Sequence, residues 1–135
     1  MEESEMHWKL GQEIVMELDY EKDVTYVDAG FEQLVRAVEA RINDTRHAVQ
    51  TSQPTIKIMS NFKELCREVR KAKIDFRRVV RFYGATYADS AMHFVELVHC
   101  AAEMSKSVDY PEVQKALQRH ADEVDTAQSQ MKSVA

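Results

Sequence analysis

Apolar side chains recur along this chain at steps of three, four and seven, which is the spacing of amphipathic helices rather than the alternation of strands. Trp8, Leu10, Ile14, Val15 and Leu18 predict a first helix over about Glu5 to Asp19. Tyr20-Glu21-Lys22-Asp23-Val24 reads as a connector, and Asp28 as the cap of a second helix carrying Phe31, Leu34, Val35, Val38, Ile42 and Val49. That helix should stop by Thr51-Ser52-Gln53, because Pro54 disfavours helical geometry in the residue before it. The third predicted helix has the clearest pattern. Phe62, Leu65, Cys66, Val69, Phe76, Val79, Val80 and Tyr83 keep helical phase, with Gly84 placed to close it. Asp89 or Ser90 is expected to cap a fourth helix with Met92, Phe94, Val95, Val98 and Ala102 on its apolar side. Asp109 and Glu112, three residues apart with Pro111 between, resemble a capping box before a last helix over Val113 to about Lys132.

The fold class that follows is all-α, an antiparallel bundle of four to five helices forming one domain over residues 1–135. Composition agrees with it. Three glycines and two prolines are too few for the turns a sheet needs. No apolar run approaches twenty residues, and the first five residues are acidic where a secretory signal would be basic and then apolar. Cys66 and Cys100 have no Cys-x-x-Cys spacing and read as reduced thiols packed in a core. A cytoplasmic setting is the expectation.

Charge changes the picture more. The net charge is −5, yet nine of the eighteen Lys and Arg residues fall between Lys57 and Arg81, against three acids there. Lys63, Arg67, Arg70, Lys71, Arg77, Arg78 and Arg81 occupy the face of the third predicted helix opposite its apolar residues. Such a face is either solvated and offset by acids on neighbouring helices, or a docking surface for something acidic. The acidic whole and the lack of a recognition motif argue against nucleic acid, and a membrane is the less expected partner.

Candidate chemistry is sparse. His93 and His99 are six residues apart, about 240° round a helix, so they cannot hold one ion as histidines four apart can. Glu96-x-x-His99 matches one quarter of a di-iron carboxylate site, and no second Glu-x-x-His occurs. There is no glycine-rich phosphate loop and no Gly-x-Ser-x-Gly elbow. The expectation is a non-catalytic protein with no cofactor and no metal.

Three segments resemble, in order, the C-terminal post region of the formin homology domain that assembles actin. His7-Trp8-Lys9-Leu10 leads into Leu18 to Ala29; Met59-Ser60-Asn61-Phe62-Lys63-Glu64-Leu65-Cys66 follows; Phe76-Arg77-Arg78-Val79-Val80-Arg81-Phe82-Tyr83-Gly84 is the most specific. The resemblance covers about residues 6–105. Ala85-Thr86 stands where formins usually carry an acidic pair, and the interval before the Phe-Tyr-Gly turn is shorter. The lasso, the knob and the Gly-Asn-Tyr-Met-Asn motif have no counterpart, so no actin-contacting residue is carried over. The resemblance implies a helical platform that binds actin or receives a lasso-type peptide, with self-association as a further possibility. From the residues alone, the alternative is a helical adaptor or dimerisation domain that docks an acidic protein or anionic membrane through the same basic face.

Overall fold

The computed structural model describes residues 20–83 and 88–134, with side chains from 30 to 81 and from 89 to 130. The helix expected over Glu5–Asp19 and the closing Gly84 lie outside the described residues. Four helices pack together: α1 (Tyr20–Gln50), α2 (Thr55–Tyr83), α3 (Ala88–Ser105) and α4 (Pro111–Val134). No strand occurs among the described residues, and no helix there is long and apolar enough to cross a membrane.

The expected break at Tyr20–Val24 is absent, and Asp28 is an interior residue of α1 rather than a cap. Glu21 and Lys22 are good helix formers, and no proline interrupts the run, so the helix extends eight residues further back. Its C-terminus is where Pro54 placed it. Gln53 N–H donates to Ala48 O at 3.0 Å and Ser52 N–H to Val49 O at 3.1 Å. With Ser52 at φ 55°, this is a Schellman closure, using serine where glycine is usual.

α2 and α1 form an antiparallel hairpin, with Arg41 beside Asn61 near the turn and Phe31 beside Phe76 further away. α3 and α4 form the second antiparallel hairpin. Across the two hairpins the directions match: Glu39 meets His93 and Arg46 meets Cys100 between α1 and α3, while Tyr110 meets Phe62 and Glu123 meets Arg77 between α2 and α4. Sequence neighbours are therefore antiparallel, but the hairpins pack side by side with like directions.

The core is apolar and shared. Phe62, Leu65, Val69, Phe76 and Val79 of α2 are fully buried, as their spacing predicts, and Val80 is half-buried. Phe31, Phe76 and Phe94 join α1, α2 and α3, with ring centroids 5.3–6.4 Å apart. Such ring pairs add to the area they bury. Two local expectations fail. Met92 is 45% exposed and belongs to the outer face of α3. Neither Asp89 nor Ser90 precedes α3, since the helix already includes Ala88.

The start of α4 differs too. The first backbone bond of the helix runs from Gln114 N–H to Tyr110 O at 3.0 Å, so Tyr110 is the cap and Asp109 lies outside it. Gln114 makes a different tie, to carbonyl oxygens rather than to the N–H groups that a capping box would satisfy. Its Nε2 donates to Ser105 O and Val108 O, tying the end of α3 to the first turn of α4. Pro111 occupies the first helical position, where its missing N–H costs nothing.

Candidate interaction surface

α2 is long and one-sided, so its polar half forms a ridge along the bundle. Counted at about 100° per residue, Arg77, Arg70, Lys63, Arg81, Ile74, Arg67, Arg78 and Lys71 succeed one another across roughly 120° of the helix, with no acid between them. All seven sequence-predicted cations are exposed. In their midst Ile74 is 58% exposed, an aliphatic side chain standing in a cationic field. The acids Glu64, Glu68 and Asp75 fall together beyond Lys71, on the border of the arc. Arg67 pairs with Glu64, Arg78 lies 4.0 Å from Asp75, and Arg77 bonds Glu123 of α4 at 3.3 Å. Lys63, Arg70 and Lys71 make no ion pair with a described residue. Exposed pairs of this kind contribute little to stability, so the arc is available for encounter rather than committed to the fold.

Another base of the segment behaves differently. Lys73 is 8% exposed and reaches between α2 and α4, where its Nζ lies 2.8 Å from His120 Nδ1 and also donates to Glu123. An ammonium group has donors and no acceptor, so Nδ1 must be bare and the imidazole proton must sit on Nε2. Burial of His120 pushes its pKa down to about 4, with the Lys73 charge acting in the same direction. The Lys73 hydrogen bond holds the Glu123 carboxyl below its usual range. This seam is a satisfied polar joint. A signal for it exists in the sequence: Lys73 falls in phase with Val69, Phe76 and Val80, and His120 lies between Leu117 and Val124 at helical spacing.

Other groups stay apart. His93 faces Glu39 of α1 at 3.7 Å, while His99 lies 2.8 Å from Asp125 of α4. No group of three or more His, Cys, Asp or Glu among the described residues is arranged to hold a metal ion. Cys66 and Cys100 are both free. Burial raises the Cys66 pKa, the direction that makes a thiol less reactive, and Cys100 Sγ accepts from Arg46 at 3.2 Å. Glu32, Val35, Arg36, Glu39, Ser90 and His93 line a shallow cleft of about 190 Å³ between α1 and α3. That is below the roughly 300–1,000 Å³ of ordinary ligand sites.

No protein-family model, curated protein or solved structure matches the chain.

Proposed function

We propose that this chain is a non-catalytic binding module that docks an acidic protein surface through Lys63, Arg67, Arg70, Lys71, Arg77, Arg78 and Arg81. The observation that carries this reading is the uninterrupted arc itself, seven exposed cations around an exposed Ile74 on an acidic protein. A ridge of one sign raises the encounter rate with an oppositely charged surface, and an aliphatic side chain at its centre supplies area to hold the complex once formed. An acid-free arc of this kind is ill suited to catalysis, which needs groups converging on a cavity. Actin, in a cytoplasmic setting, is the first partner to test, because the segments similar to the formin post region include Phe76 to Tyr83 on this helix.

Co-sedimentation of the full chain with actin filaments, at low and high salt, tests the reading. Binding that weakens with salt, and weakens again when Arg70, Arg77 and Arg78 are changed to Glu, supports an actin-assembly role. Absence of binding to actin removes that role and leaves a helical adaptor for another acidic protein.

A further inference from the structure

Ile74 has an apolar companion on the cationic face of α2. Ile56, 76% exposed, stands eighteen residues before it, which is five whole turns at about 3.6 residues each. The two isoleucines therefore share one azimuth and stand about 27 Å apart along the axis. Alternating steps of four and three lead from Ile56 through Ser60, Lys63, Arg67 and Arg70 to Ile74, and two further steps end at Arg81. Every residue on that row is exposed, and none is acidic. The acids Glu64, Glu68 and Asp75 lie about 80–120° away, all on one flank. Steps of four and three mark the seam of a coiled coil, where one helix lies along another with nearly parallel axes.

We infer that this row of α2 is the seam for an acidic amphipathic helix of a partner protein, an assignment that rests on the docking role proposed for α2. The partner helix carries two apolar residues eighteen positions apart to cover Ile56 and Ile74, with Asp or Glu at the seam positions between them. The isoleucines set its length and direction. Only a straight element that follows α2 for about five turns meets both. A helix crossing at about 50°, the commonest angle in globular packing, touches one and leaves the other. Charge sets the identity of the occupant. Lysine and arginine stems lie against the partner's apolar residues while their heads reach its carboxylates. A second copy of α2, laid on the row in either direction, sets these cations against one another, so the seam is heterotypic. An anionic bilayer is the poorer occupant, because it takes up a broad apolar face and the row offers two isolated isoleucines.

The test is calorimetric titration of the full chain with two synthetic acidic peptides of about four heptads and identical composition, followed in parallel by circular dichroism. In the first peptide two leucines stand eighteen positions apart on the acidic seam. In the second both are moved two positions along, about 200° round the helix. The inference predicts that the first peptide gains helix on mixing and binds about tenfold more tightly than the second. Ile56→Gln and Ile74→Gln should each weaken the first peptide about tenfold, since each exposes an apolar side chain of the partner, and the second less than about twofold. Thermal melts of both variants should match the parent, because the two side chains face solvent; alanine replaces glutamine at any position where they do not. Equal binding of the two peptides, indifferent to both isoleucines, overturns the seam and leaves docking by the charged face standing. Binding of neither peptide at low salt overturns both. A dimer of the parent that Ile74→Gln abolishes, read by analytical ultracentrifugation, also overturns the inference and gives the row to a second copy.

Discussion

α2 makes two interfaces of different character. Against α1 it is apolar to the centre, with Phe62, Leu65, Val69 and Phe76 set against Phe31, Val35, Val38 and Ile42. The polar contact there, Arg41 Nη1 to Asn61 Oδ1 at 3.1 Å, is only partly buried. Against α4 the same helix buries Lys73, His120 and one edge of Glu123 beside Leu117, Ala121 and Val124. The first interface holds at any pH the protein tolerates, because nothing in its core titrates. The second weakens as His120 gains a proton and as Glu123 loses its charge. One helix thus joins a pH-indifferent hairpin to a pH-sensitive neighbour, and its exposed cations gather along the sensitive side.

The largest expected effect comes from breaking the apolar centre. Phe76→Ala removes a ring packed against Phe31 and Phe94 and should cost about 3–5 kcal/mol of unfolding free energy. Denaturant melts should give the same loss at neutral and at mildly acidic pH, since no titrating group is involved.

The α4 side should respond to acid instead. His120 has its ordinary pKa of 6.5 in the unfolded chain and about 4 in the folded one. Between those values the unfolded chain binds a proton that the folded chain refuses, so stability falls as pH drops from 6.5 towards 4. The loss from this group is on the order of 3 kcal/mol and ends below the folded value. Glu123 acts in the same direction, because its carboxyl is held low in the fold and its contribution disappears as it is protonated. His120→Asn keeps an acceptor oxygen near the position of Nδ1 and removes the titration. Melts across this range should show a flatter profile for the variant than for the parent.

The α1 side was the more legible of the two in the sequence, for a physical reason. Its partners are runs of apolar residues at helical spacing, and the turn between them is announced by Pro54. The Lys73–His120 joint unites residues 47 positions apart, and a lysine counted as charge looks the same whether it points to solvent, as Lys71 does, or inward. Only its phase with Val69 and Phe76 betrays it. Helix starts were the least legible. Asp28 and Asp109 have capping chemistry, but α1 begins earlier and Tyr110, not Asp109, is the residue whose carbonyl takes the first bond of α4. The cationic arc was visible whole as a set of residues, while the exposure of Ile74 among them needed the packed helices.

A smaller change sharpens the hairpin side. Ser52 closes α1 in left-handed geometry, which glycine adopts without strain. Ser52→Gly should stabilise the chain by up to about 1 kcal/mol, read as a higher denaturation midpoint with an unchanged slope.

The smallest effect on stability belongs to the cations themselves, and it bears on the central claim. Arg70, Arg77 and Arg78 are exposed, so changing all three to Glu should alter unfolding free energy by less than about 1 kcal/mol. The direct measurement is stopped-flow association of parent and triple variant with actin across a series of salt concentrations, with melts of the same samples. The account predicts a parent rate that falls steadily as salt screens the arc over about 8–10 Å, a variant at least about tenfold slower at low salt, and matching melts. A rate indifferent to both salt and charge reversal, or a variant that loses binding only because it has unfolded, would contradict it.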